Sequence, residues 1–161
     1  MYVDSALFWK ILIEQITHKL SAVCYAIRSV KPFMSQETLK MVYYACFHSI
    51  MNCGLIFWGN SSNSTKILNI QKNIIRSITG CRSRDSCRDL LKNLKIVPLQ
   101  SQYMLSLLSF VVNSKNKFKS NSDVCHIYTR QKCNFHHPSS NLSLYQIGVH
   151  SVGILPQNIK N

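Results

Sequence analysis

Acidic side chains are scarce in this chain: six Asp and Glu stand against nineteen Lys and Arg, a formal charge of +13. Chemistry that clamps metal ions between grouped carboxylates is therefore poorly provided for. Asp85 and Asp89 form the only close acidic pair, one turn apart near a helix start and among Arg82, Arg84 and Arg88. Helix-dipole complementation and ion pairing account for them better than metal binding does. Glycine is sparse too, five residues in all, and no glycine-rich loop is there to cradle a phosphate. A Ser, His and Asp grouping for nucleophilic catalysis is likewise lacking. At the N-terminus Asp4, Lys10 and Glu14 interrupt any apolar run of the kind a signal peptide needs. The apolar stretch from Met104 to Val112 is half a membrane span and reads as a core helix. These absences point to an intracellular protein, nuclear or cytoplasmic, with no membrane and no small-molecule substrate.

Enough apolar residues are present to fold: 46% of 161 residues are hydrophobic, which suits one domain with a modest core. The seven cysteines are scattered, and Cys24 and Cys46 fall at apolar helix positions where a thiol acts as a small hydrophobe. They read as reduced rather than as a disulfide framework. Cys125, His126, Cys133, His136 and His137 crowd into thirteen residues. The gap from Cys125 to Cys133 is looser than the tight pairs of a zinc knuckle, so neither metal nor cofactor is expected. The excess of positive charge suits a polyanionic partner, nucleic acid or an acidic membrane surface.

The chain is organised around residues 39–80. Leu39, Val42, Tyr43, Cys46, Phe47, Ile50 and Met51 repeat with helical period, as do Ile67, Ile70, Gln71, Ile74, Ile75 and Ile78. Between these arms lies an aromatic corner, Gly54-Leu-Ile-Phe-Trp-Gly-Asn-Ser-Ser62, and Gly80 supplies a C-terminal stop. Upstream, Phe8, Ile11, Leu12, Ile16, Leu20, Val23, Cys24 and Ile27 form one long stripe, broken at Lys31-Pro32. Ser35 caps the next helix, with Glu37 in its first turn. Ser61, Ser62 and Ser64 offer caps for the third helix, and Ser86 with Asp89 makes a weak capping box for the fourth. Pro98 opens a fifth helix that is apolar nearly all round and is expected to be the most buried.

The expected fold is all-α: a small bundle of about five helices near residues 5–29, 35–57, 62–79, 86–94 and 98–114. Two regions follow, a thumb-like helical domain over 1–114 and a polar, loop-rich, partly ordered tail over 115–161, with short local structure around Leu142 to Val149. Six basic residues are concentrated between Lys66 and Arg88: Lys66, Lys72, Arg76, Arg82, Arg84 and Arg88. Lys72 and Arg76 are one turn apart and opposite the isoleucine stripe, so the core forces them outward. Fixed positive charge at such spacing suits phosphate backbones without base-specific geometry. Trp58, beside Ile56 and Phe57, reads as a corner anchor more than as a base-stacking platform.

The order of residues goes further than their periodicity. Lys19-Leu-Ser-Ala-Val-Cys-Tyr-Ala-Ile-Arg28, Thr38-Leu-Lys40, Val42-Tyr-Tyr-Ala45, Phe47-His-Ser-Ile-Met51 and Ile56-Phe-Trp-Gly-Asn-Ser-Ser62 stand in sequence. They are followed by Ile70-Gln-Lys72, Ile78-Thr-Gly80, Arg84-Asp-Ser-Cys-Arg88, Pro98-Leu-Gln-Ser-Gln-Tyr103 and Phe110-Val-Val-Asn113. Together they resemble the segment after the polymerase palm in jockey-type non-LTR retrotransposon reverse transcriptases, across nearly the whole chain. Met1-Tyr-Val-Asp4 and Leu7-Phe-Trp-Lys10 resemble the end of that palm, which implies that Met1 is an internal methionine of a longer reading frame. The resemblance implies a thumb-like part of an RNA-directed DNA polymerase, whose partner is a template–primer duplex of RNA or DNA held within a larger polymerase.

The family's catalysis needs an aromatic-Ala-Asp-Asp turn to hold two metal ions. Here Tyr25-Ala26 is followed by Ile27, and Tyr44-Ala45 by Cys46. The chain is therefore not expected to be an enzyme on its own. Departures from the family pattern, such as Asn73 where a basic residue is usual, keep open a second reading as a non-functional transposon relic. A free-standing helical interaction module is a third.

Overall fold

The computed structural model describes residues 9–82, 85–114, 116, 118–125, 130, 135 and 136. The described chain is all-α, as the periodicity predicts, with no strand among the described residues and a single isolated antiparallel bridge between Ser120 and Phe135. Two compact units divide it, Met1–Tyr103 and Met104–Asn161. The expected boundary lay after residue 114, beyond the fifth helix; by compactness the division falls within that helix.

The first unit begins with α1, Lys10–Val30. Its buried face is Ile13, Ile16, Leu20, Cys24 and Ile27, whereas Ile11, assigned to the stripe from sequence, is exposed. Burial raises the thiol pKa of Cys24 against the opposing pull of Arg28, so the group stays protonated and apolar as expected. A 3₁₀ turn, Lys31–Phe33, carries Pro32 and ends α1. Ser35 then caps α2, Gln36–Val42, its hydroxyl accepting from the Thr38 N–H at 3.3 Å.

From Tyr43 to His48 the backbone is π-helical, and it returns to α3, Ser49–Asn52. The buried positions here are Leu39, Tyr43, Phe47 and Met51, four residues apart each time. An α-helix over-rotates by roughly 40° at each such step; a π segment winds more slowly, which keeps the four side chains on one face. Sequence reading at the α period therefore added Cys46 to the stripe, and the structure corrects this: Cys46 is exposed.

The corner is tighter than a loop. Gly54 takes a left-handed φ of 66°, and a short α4, Leu55–Trp58, follows it. Trp58 is fully buried and donates through Nε1 to the Cys53 carbonyl at 2.9 Å, so it is an anchor, with no ring face free for a base. Gly59 leaves no room for a side chain: a Cβ there would meet the Leu55 carbonyl at 2.7 Å and the Tyr103 ring.

α5, Ser64–Thr79, packs on α1, and its buried residues are Ile67, Gln71, Ile74, Ile75 and Ile78. Arg28 Nε reaches across to Ser77 Oγ at 3.1 Å. The serines expected to cap α5 do not: its N-cap is Asn63, without a side-chain bond. Gly80 ends it at φ 77°, and the Cys81 N–H bonds back to the Arg76 carbonyl at 3.1 Å, closing the last turn. α6, Cys87–Leu94, starts at Ser86, again without a side-chain cap.

α7, Leu99–Asn113, corrects a second expectation. It was to be the most buried helix, yet only Leu99, Tyr103, Leu107 and Val111 are buried, while Leu105, Phe110 and Val112 are exposed. An all-apolar helix need not be surrounded on every side, because apolar side chains on a surface carry no unmet hydrogen bond.

In the second unit, α8, Asn121–Cys125, is opened by a capping box: the Asp123 N–H bonds to Ser120 Oγ and the Ser120 N–H to Asp123 Oδ2 at 2.9 Å. Phe118 lies between Phe110 and Phe135, with ring centroids 6.3 and 5.3 Å away. The expected local structure around Leu142 to Val149 lies outside the described residues.

Candidate nucleic-acid interface

Gln71 fixes the geometry of the surface that carries charge. It is 1% exposed, the sole buried polar side chain in the described core, and all its polar atoms are matched. Nε2 donates to Tyr43 Oη and to the Val97 carbonyl, both at 3.0 Å, and Oε1 accepts from the Leu99 N–H at 2.9 Å. The last of these satisfies an N–H at the start of α7 that has no partner inside its own helix. Burial pushes the Tyr43 hydroxyl up to about 12, against the lowering effect of Gln71 and with a smaller push from Tyr44. Tyr44 donates its hydroxyl to the Lys95 carbonyl at 3.0 Å. Residues 95–99 are thereby fastened to two elements, and with α5 and α6 they form the walls of a groove.

The groove encloses about 860 Å³. Lys72 and Arg76 stand on its α5 wall, Arg88 and Lys92 on its α6 wall, and Lys95 at the end of α6. No acidic residue is among its lining, and Leu68, Leu91, Ile96, Val97 and Pro98 make its apolar surface. Lys95 is the one described non-glycine residue with positive φ, at 56°. The Ile96 N–H bonds back to the Leu91 carbonyl at 2.9 Å, so α6 ends in the turn that glycine usually makes. A lysine in that conformation costs about 1 kcal/mol against glycine.

Of the six basic residues singled out by sequence, Lys72, Arg76 and Arg88 are brought together here. Lys72 and Arg76 are half-buried, and Arg76 is partly engaged: its Nε and Nη2 donate to the Asp85 carbonyl at 3.3 and 3.1 Å. Lys66 lies elsewhere, at a depression of about 420 Å³ shared with Glu14, Thr17, His18 and Ser21. Arg82 is exposed, and its backbone N–H is held by Asp85 Oδ2 at 2.8 Å. Arg84 lies outside the described residues.

Two groove residues were missed. Lys92 is one turn beyond Arg88, a spacing visible in the sequence; Lys95 carries no such signal, since its place depends on the end of α6. The Asp85 carboxylate serves the connector turn, and Asp89 sits in the first turn of α6. Among the described residues no three His, Cys, Asp or Glu side chains converge as a metal site would require. Most of the Cys and His run from Cys125 to His137 lies outside the described residues. No described helix is long and apolar enough to cross a membrane. No protein-family model matches the chain, and no curated protein and no solved structure matches it either.

Proposed function

We propose that this chain binds nucleic acid through the phosphate backbone, without reading base sequence, as the thumb-like part of a polymerase of the jockey-type retrotransposon kind. The observation that carries the proposal is the groove lined by five cationic side chains, from α5, α6 and the end of α6, and by no acidic one. Cations so arranged repel one another unless an anion lies between them. Further support comes from Lys95, where a conformation suited to glycine is spent on a positive charge. The ordered resemblance of the sequence supplies the polymerase context.

The test is salt-dependent binding to a template–primer with a single-stranded overhang. Replacing Lys72, Arg88, Lys92 and Lys95 together with Gln should flatten the slope of log K against log salt by about 3 units, each lost phosphate contact removing about 0.7 on a single strand and about 0.9 on a duplex. Urea unfolding should be nearly unchanged. Wild-type affinity and slope in the quadruple variant would reduce the groove to a solvated basic face. With template, primer, magnesium and nucleotides, the chain alone should incorporate nothing; incorporation lost on mutating Asp85 or Asp89 would overturn that part.

A further inference from the structure

We infer that the groove between α5 and α6 receives an unpaired segment of a nucleic-acid strand, not the outside of a duplex. This rests on the nucleic-acid reading above and adds to it the class of ligand. A duplex turns its phosphates outward and its bases inward, so it would meet the cationic rim and leave the apolar floor unused. The floor is substantial: Leu68 on α5, Leu91 on α6, and the consecutive Ile96, Val97 and Pro98. Val97 is 39% exposed although neighbouring Ile96 is buried, so apolar surface is left open to solvent among the charges. An unpaired base has an apolar face to lay on it, and burying both surfaces is favourable without any hydrogen-bond code.

The walls suit such a strand. Lys72 and Arg76 are one turn apart on one side and Arg88 and Lys92 one turn apart on the other, which puts each pair about 6 Å apart along its helix. That is of the order of the separation between successive phosphates in an extended strand. A line of charge running between the walls relieves the repulsion across the cleft, whereas a single anion would meet only part of it. The cleft falls within the range of small-ligand sites, about 300–1,000 Å³, and so admits a few nucleotides but no double helix.

The experiment measures anisotropy of the full chain with labelled oligonucleotides of about 12 nucleotides, within the site size of single-strand binders. Four probes are compared at one salt concentration: an unpaired strand, its duplex, an abasic strand with the same phosphates, and an acidic amphipathic peptide. The unpaired strand should bind about tenfold tighter than the duplex and about fivefold tighter than the abasic strand. Val97→Asn should weaken, and Val97→Tyr tighten, binding of the unpaired strand by about fivefold, while duplex affinity stays within about twofold. Equal affinity for abasic and normal strands, or no response to either Val97 variant, would overturn the inference and leave phosphate binding standing. Failure of every oligonucleotide to bind while the peptide binds would overturn both. Should Val97→Asn fail to fold, the abasic strand decides.

Discussion

Gln71 and Lys72 are adjacent in sequence, about 100° apart around the same helix, and their surroundings differ: one is buried and the other lines a groove. On the Gln71 face, Ile67, Ile74, Ile75 and Ile78 are excluded from water against α1, and the one polar group is fully bonded. On the adjoining flank of the helix, Leu68, Lys72 and Arg76 front an open groove without an acidic partner in its lining. The first face is closed: every group that could bind something is already bound. The second is left incomplete. Stability is thus concentrated on one face of the helix and charge on the other, and the two are joined through Gln71, which also holds Val97 at the groove.

The largest effect should come from Gln71→Leu. It strands the Leu99 N–H, the Val97 carbonyl and the Tyr43 hydroxyl, each costing up to about 1–3 kcal/mol when buried unpaired. A loss of about 3 kcal/mol in urea unfolding is expected. Val97 is released at the groove, but all five cations remain, so the salt slope of nucleic-acid binding should change by less than one phosphate contact, about 0.9, in the folded fraction. A slope that fell in step with stability would show that the two faces are not separable.

Tyr43→Phe should cost less, about 2 kcal/mol, because one Gln71 N–H loses its acceptor. It also carries a pH signature. The folded hydroxyl titrates at about 12, above its ordinary 10.0. The unfolded state thus releases its proton first, and stability present in full below pH 10 is lost as pH rises through about 12. The slope is about 1.4 kcal/mol per pH unit between those values. The Phe variant should lack that component, and an identical alkaline decline in both proteins would remove Tyr43 as its source.

The smallest effect sharpens the comparison most, because its two readouts move in opposite directions. Lys95→Gly relieves the left-handed conformation at the end of α6 and should raise stability by about 1 kcal/mol. It also removes one groove cation, and should lower the salt slope by about 0.9. A variant that gained stability with no change in slope would place Lys95 outside the contact surface.

Apolar spacing made most of the bundle legible, since the helix period follows from local backbone geometry and reads the same in any context. Residues 64–79, 87–94 and 99–113 fall within two residues of expectation. Spacing failed where that geometry changes, at the π segment Tyr43–His48, and where burial depends on coverage, as on α7. Of the five described members of the predicted basic set, three converge on the groove, because Lys72 and Arg76 share a face of α5 and Arg88 is in the first turn of α6.

The sequence by itself determined the helical class, the stops at Pro32 and Gly80, the outward face of α5 and the large positive charge. Those follow from properties carried by single residues or by neighbours three and four apart. Only the tertiary structure decided that Lys92 and Lys95 join the groove, that Lys66 does not, and that Arg76 is partly occupied by the Asp85 carbonyl. A side chain's partners depend on which distant segment is folded against it. Here Gln71 draws residues 97 and 99 onto α5 and so gives the groove its second side.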